Sequence, residues 1–344
     1  MASLETATPA RVGFSTFALA AALLVSIPLV LGFFGRLHPA LDAMTQLRAH
    51  LAALLALVAL VLLWTGPRLH GLVALLLGAG AFATTLPAST FHDVAIARPA
   101  PVVENRAVYR LLHLNLRFDH AEPGRVLSLI ARERPDVLTL NEVSALWRDK
   151  LDLIAVAYPY RLICRRNEIA GGVAILSRRP LIDEATGGCD ADGRYAAVTV
   201  DFGGQPAQVV ALHLERPWPW GQAAQIAHLV PLLAGLGEAT IVGADLNATP
   251  WSTTFSNVVA GAGFSEPLRA GPTWLSYRLP PALRPLIGVP IDHVLTKPDV
   301  SLHALRVLDD AGSDHLPVLA EFSIRPAQLD APMAVAGLAV RTPR

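Results

Sequence analysis

Five short segments constrain what this chain can fold into: His113-Leu-Asn-Leu-Arg117, Leu140-Asn-Glu-Val143, Val242-Gly-Ala-Asp-Leu-Asn247, Ile291-Asp-His-Val294 and Gly312-Ser-Asp-His-Leu316. Each places carboxylate, amide or imidazole groups at the end of an apolar run. Water-excluded polar groups need partners, so buried strands ending this way deliver their side chains to a shared cleft. Together the segments offer hard oxygen ligands for a divalent cation, a carboxylate to handle a water, and imidazoles to meet a phosphate.

Charge divides the chain into two parts. Of the 344 residues 53% are hydrophobic and only 16% charged, against about 25% charged in ordinary soluble domains. Mean hydropathy is +0.43. Residues 14–34 carry no charge, and a helix of about 21 residues rising ~1.5 Å each can cross a hydrocarbon core of about 30 Å. Leu51–Thr65 and Leu72–Leu86 are two further charge-free runs around Gly66-Pro-Arg-Leu-His-Gly71. The expectation is an anchor over residues 1–87 with three membrane helices at 14–34, 51–66 and 71–87, and hence a multi-pass membrane protein in contact with a lipid bilayer. The first run lacks the basic n-region and small-residue cleavage site of a signal peptide. Arg11 and Arg68 flank one side of the spans and Arg36, Arg48 and Arg98 the other, so basic residues do not choose the orientation. Pro87, Pro99 and Pro101 mark a linker over 88–105, and the Ala- and Pro-rich residues 326–344 read as a tail.

Residues 106–325 form the soluble portion. They hold 21 Lys/Arg against 23 Asp/Glu, which argues against a broad nucleic-acid-binding face. Cys164 and Cys189 are too few for a disulfide framework or a zinc site; two isolated buried thiols are expected, with pairing left open for an oxidising compartment. Strands are expected at Val108–Leu116, Val137–Leu140, Gly172–Leu176, Ala196–Phe202, Gln208–Leu214, Thr240–Gly243, His293–Thr296, Ser301–Leu308 and Val318–Ile324. Helices are expected at Pro123–Arg134, Ala145–Val156, Trp220–Leu236 and Thr253–Ala260. Three successive strands without helices between them fit a single doubly wound sheet poorly. Two sheets packed face to face, with helices on the outer faces, satisfy every apolar face: an α/β (α+β) four-layer α/β/β/α sandwich.

Glu142 ends an apolar strand, so it must be paired, protonated or bound to a cation. Mg²⁺ needs only one or two carboxylates besides substrate oxygens and water, and Asn115 supplies an amide at the end of a neighbouring strand. Asp245 and Asn247 lie two apart on extended chain and project from one face. Asp292 and His315 can pair, an Asp fixing the tautomer of an imidazole, and Asp314 precedes His315. His213 ends Val209-Val-Ala-Leu212. Each residue alone has a bland explanation; six strand ends with compatible groups do not.

These residues, in this order, resemble the endonuclease/exonuclease/phosphatase superfamily, the DNase I-like metal-dependent phosphoesterases. The resemblance implies a four-layer sandwich and Mg²⁺, or Mn²⁺, as cofactor. It implies Glu142, Asn115 and Asp314 as metal-site residues, and His213 and Asn247 on the scissile phosphate. Asp245 would act on the attacking water, and Asp292 would orient His315. Ser177, in Gly171-Gly-Val-Ala-Ile-Leu-Ser177, is expected near the site. Trp218, Trp220 and Trp274 are expected on the substrate. Asn141 stands where many relatives carry Gln. The implied reaction is in-line attack of water on a phosphoester, whose substrate is a lipid headgroup, a small phosphodiester or a nucleic acid; no protein partner is implied. A nuclease and a catalytically inactive phosphate-binding module are the alternatives. Resemblance to anchored relatives places the enzyme on the outer, periplasmic side.

Overall fold

The computed structural model describes residues 9–86, 106–165, 171–182, 188–280 and 282–325. The expected linker (88–105) and tail (326–344) lie outside them. The amino-terminal part is helical: α1 (Pro9–Leu31), a 3-10 turn (Gly32–Phe34), α2 (Pro39–Thr45), α3 (Arg48–Thr65) and α4 (Arg68–Ala83). By length and composition two of these stretches suffice to cross a membrane, Gly13–Phe34 and Arg48–Thr65; Arg68–Ala83 is apolar but shorter. Helices α3 and α4 meet through small residues, with Ala52 and Ala59 on one and Gly71, Ala74, Gly78 and Ala81 on the other all buried. A Cβ on Gly78 would stand 2.9 Å from the Ala52 carbonyl oxygen, so glycine is what lets the two backbones approach this closely.

The rest of the chain, from residue 106 on, holds eleven strands among the described residues. β1 (Tyr109–Asn115), β2 (Val137–Val143), β3 (Tyr160–Ile163), β4 (Gly172–Ser177), β10 (Val300–Val307) and β11 (Val318–Ile324) make one sheet, ordered β10-β11-β1-β2-β4-β3. β5 (Gly188–Cys189), β6 (Tyr195–Asp201), β7 (Pro206–His213), β8 (Thr240–Asp245) and β9 (Asp292–Thr296) make the other, in chain order. Leu111, Val137, Val198, Val209, Val294 and Phe322 fill the space between the sheets. On the outside of the first sheet Leu112, Leu114, Leu138 and Leu140 pack under α5 (Pro123–Glu133) and α6 (Ala145–Leu151). On the outside of the second, Leu212 and Val242 pack under α7 (Gln222–Ala234) and α8 (Thr253–Ala262). The architecture is the expected sandwich, and its cause is visible in β1: alternate residues serve the inner and outer cores, so the strand reads as one continuous apolar run.

Among the elements that the sequence does not announce, three matter here: the short edge strands β3 and β5, and α2. The two strands bear on a correction to the cysteines, because Cys164 and Cys189 are joined by a disulfide, with Cα atoms 5.4 Å apart. Cys164 follows β3, the edge of the first sheet, and Cys189 ends β5, the edge of the second. Stacking the two sheets brings these edges together, a proximity that a sequence separation of 25 does not reveal.

Candidate active site

Strand polarity gathers the polar ends. β1 and β2 run parallel with Asn115 opposite Asn141, while β7 and β8 run parallel with His213 opposite Asp245. β9 is antiparallel to β8 and begins at this same end, pairing Asp292 with Asp245. The loop Gly312–His315 leads into β11, which is antiparallel to β1, and so crosses the same edge. The Ser313 hydroxyl donates to the Asn115 carbonyl at 2.8 Å and accepts from the His315 backbone N–H at 3.1 Å, tying that loop to the end of β1.

The polar groups meet around Asp245. The Asn115 amide donates to Asp245 Oδ2 at 3.0 Å and to Glu142 Oε1 at 3.1 Å. Glu142 Oε2 accepts the Phe118 backbone N–H at 2.9 Å. His213 Nε2 and His315 Nε2 stand 3.5 Å and 3.8 Å from Asp245 Oδ2. Asn247 donates its backbone N–H to Asp245 Oδ1 at 2.9 Å and its side-chain amide to the Leu214 carbonyl at 2.9 Å. Asp292 Oδ2 lies 2.8 Å from His315 Nδ1, and Asp292 Oδ1 lies 3.4 Å from His113 Nε2. Asp314 shares a cleft of about 280 Å³ with Glu142, His213, Asp245, Asn247 and His315. Trp220 and Trp274 also line that cleft, and Trp218 lines a larger pocket beside it.

Backbone conformation contributes to this placement. Glu142 and Asn247 adopt left-handed φ values of 58° and 47°, which cost non-glycine residues of order 1–3 kcal/mol each and concentrate at functional sites. At Glu142 the ladder between β2 and β4 shifts register between Leu140 and Val143, a bulge that re-aims the carboxylate. Gly171, at φ 68°, packs against it: a Cβ there would lie 2.4 Å from the Ser144 nitrogen and 2.7 Å from the Glu142 carbonyl carbon.

The electrostatics follow from burial and from the two carboxylates. Burial, then the charge of Asp292, pushes Asp245 up to about 7. Burial would raise Asp292 as well, but His315 and His113 hold it well below the usual carboxylate range. Burial would lower His315, yet Asp292 and Asp245 push it up to about 10. A buried imidazolium therefore sits between two carboxylates, one firmly ionised and one poised near neutrality.

A divalent cation fits this donor set. Asp245, Asp292 and His315 offer ligand atoms within 4.8 Å of one another, but Asp292 Oδ2 and His315 Nδ1 already satisfy each other at 2.8 Å. Mg²⁺ prefers hard oxygens to imidazole, so the carboxylate oxygens of Glu142 and Asp245, which the Asn115 amide bridges through its N–H groups, suit it better. The reluctance of Asp245 to ionise is what a nearby cation would relieve.

Ser177 requires a correction. It pairs with Val137 at the start of β2, five residues before Glu142, or roughly 17 Å along the strand. Its hydroxyl donates to the Arg179 carbonyl at 2.8 Å. Strand β4 runs antiparallel to β2, so its carboxyl end points away from the cleft. Sequence reasoning also passes over His113 and Thr273. His113 shares the inner face of β1 with Asn115, two residues on, and that alternation is the available signal. Thr273 Oγ1 accepts the backbone N–H groups of Ile291 and Asp292 at 3.2 and 3.0 Å, fixing the start of β9; nothing in the sequence marks it. His293 faces the other way, its Nε2 2.9 Å from the Ala248 carbonyl oxygen, and burial pushes it down to about 4.

Residues 112–315 match the Endonuclease/Exonuclease/phosphatase family. The chain belongs to this family. No curated protein matches it. Among solved structures it is similar to an endonuclease/exonuclease/phosphatase from Beutenbergia cavernae DSM 12333, with 22% identity and TM-score 0.52 over 64% of this chain and 72% of that one. It is similar to D. rerio TDP2 complexed with single strand DNA product, with 20% identity and TM-score 0.51 over 63% of this chain and 99% of that one. An endonuclease/exonuclease/phosphatase from Bacteroides vulgatus gives 16% identity and TM-score 0.50 over 64% and 100%. At these identities the Endonuclease/Exonuclease/phosphatase neighbours show the shared fold.

Proposed function

We propose that this protein is a membrane-anchored, metal-dependent phosphoesterase that hydrolyses its substrate by in-line attack of water. The observation that carries this reading is Asp245, buried and surrounded at 3.0–3.8 Å by the Asn115 amide and the His213 and His315 imidazoles. Asp245 takes a proton from the attacking water, a role suited to a carboxylate poised near neutrality. His213 and Asn247 hold the phosphoryl oxygens. His315, kept protonated by Asp292, faces the charge that develops on them, and His113 steadies Asp292 from its other side. Bound Mg²⁺, or Mn²⁺, would be held by Glu142, Asn115 and Asp314 and would supply positive charge to the phosphoryl and leaving oxygens. Trp220 and Trp274 wall the cleft against the substrate.

The anchor reading rests on the ends of the helices. The segment joining α1 to α3 and the end of α4 both touch the soluble part: Asp42 accepts from the Thr253 N–H, and Arg269 donates to the Thr85 carbonyl at 2.8 Å. Three spans would then leave the start of α1 and the turn at Gly66 on the opposite side. The Cys164–Cys189 disulfide favours an oxidising compartment for the catalytic part, and so the outer or periplasmic face.

The test uses the full chain in nonionic detergent with bis(4-nitrophenyl) phosphate. Hydrolysis should require Mg²⁺ or Mn²⁺, stop with EDTA, and fall by about 100-fold or more in Glu142→Ala, the scale of losing transition-state charge stabilisation. Full activity in EDTA or in that variant would defeat the reading.

A further inference from the structure

The helical part does more than hold the soluble part in place. Asp42, in α2, accepts the backbone N–H groups of Thr253 and Thr254 at 2.7 and 2.9 Å, at the start of α8. Gln46 Oε1 accepts the Thr249 N–H at 2.8 Å, and the Trp251 indole donates to the Thr45 carbonyl at 2.8 Å. Residues 42–46 are thus fixed against the loop that follows Asn247. Beside this junction lies a pocket of about 570 Å³, lined by Ala43, Gln46 and Leu47 from the helical part and by Trp218, Tyr277 and Ile291 among others from the sandwich part. Arg216, Trp220, Asn247, Trp274 and Asp314 line both this pocket and the catalytic cleft. The two spaces therefore adjoin across these residues, and a substrate with its phosphate at Asn247 can direct a substituent toward α2.

The chemistry of the walls states what that substituent is. Leu47, Trp218, Trp220 and Tyr277 are 49%, 51%, 57% and 47% exposed around one concavity. Large apolar side chains left open together mark a binding surface, and the volume is that of a ligand pocket. Leu47 immediately precedes α3, so on the anchor reading the pocket opens at the bilayer surface. Resting on the phosphoesterase reading above, we propose that this pocket receives the apolar substituent of an amphiphilic phosphoester and that the anchor supplies one wall of the substrate site through Leu47.

The experiment compares methyl 4-nitrophenyl phosphate with octyl 4-nitrophenyl phosphate, which share a leaving group, on the full chain in nonionic detergent. The wild-type protein should favour the octyl ester about tenfold in kcat/KM, through KM, the scale of burying one or two methylene groups. Leu47→Asp should abolish most of that preference by raising KM for the octyl ester more than for the methyl ester, with Leu47→Ala intermediate. In a parallel arm without turnover, octyl phosphate binding is followed by tryptophan fluorescence in EDTA. Leu47→Asp should weaken it about tenfold, the size expected for losing one leucine's apolar contact, and leave inorganic phosphate binding unchanged. Equal effects on the two ligands of either pair, or none, would overturn the proposal. Failure to hydrolyse either ester would count against the phosphoesterase reading, and the binding arm would still judge the pocket.

Discussion

Replacing Asp292 with Asn removes one buried charge while keeping the side chain's shape, and its consequence can be worked out in advance. Asp292 Oδ2 stands 2.8 Å from His315 Nδ1 and Asp245 Oδ2 stands 3.8 Å from His315 Nε2. At an effective dielectric constant of ~20 these distances give attractions of about 6 and about 4 kcal/mol for the imidazolium. Burial opposes them, and the net result raises His315 from 6.5 to about 10, equivalent to roughly 5 kcal/mol in favour of the cation. Without the Asp292 share, His315 should titrate at roughly 6. Because its folded pKa is raised, this contribution to stability is fully present below pH 6.5 and is lost as pH rises through about 10; the variant should show no such loss. The assay is a histidine NMR titration of the metal-free full chain in detergent, with the His315 signal identified by its disappearance in His315→Gln. At about pH 8 the variant should also lose about 10²–10³ in kcat, the effect of removing one preorganised charged donor. A His315 inflection that stays near 10 in Asp292→Asn would show that another group holds the proton, and would refute this account of the pair.

Other consequences follow from the same geometry. Asp245 is raised to about 7. For an acid that sign means its contribution is present below its ordinary value of 3.8 and lost as pH rises through about 7. Mg²⁺ should therefore raise the thermal midpoint more at about pH 8 than at about pH 5.5; equal shifts would remove Asp245 from the cation's surroundings. Cys164→Ser/Cys189→Ser should lower unfolding stability by about 3 kcal/mol, as expected for opening a loop of this size, and denatured wild-type protein should show no free thiol from these two residues. Asp42→Ala removes a carboxylate from the first turn of α8 and should cost about 1–2 kcal/mol, seen as faster amide exchange at Thr253 and Thr254; unchanged exchange would mean that α2 does not hold α8.

What is legible in the sequence depends on how each element is buried. Strands β1, β2, β7 and β8 are covered on both faces, so they read as unbroken apolar runs, and their polar ends stand out as Asn115, Glu142, His213 and Asp245. Edge strands β3 and β5 have no such run. Tyr160–Ile163 is only partly buried and Gly188–Cys189 is exposed, so neither carries a pattern, and the disulfide that depends on both stays hidden. Ser177 misleads for a different reason: its residue type and preceding apolar run match a site strand, but strand direction decides which end reaches the cleft. Direction is a property of the sheet's pairing, which local sequence does not encode.

Helix α2 escapes a sequence reading because seven residues carry too little periodicity, and Asp42 looks like an ordinary loop acid. Its buried carboxylate is instead spent on the backbone of α8, which lies 211 residues on in the chain at Thr253. That distance has a functional corollary. The loop held by Thr45 and Gln46 begins two residues after Asn247, so a displacement of α2 would move the wall of the pocket and the neighbour of Asn247 together. The helical part and the polar cleft are thereby mechanically one unit on this side, and detaching residues 1–87 should alter substrate selection even where the sandwich itself stays folded.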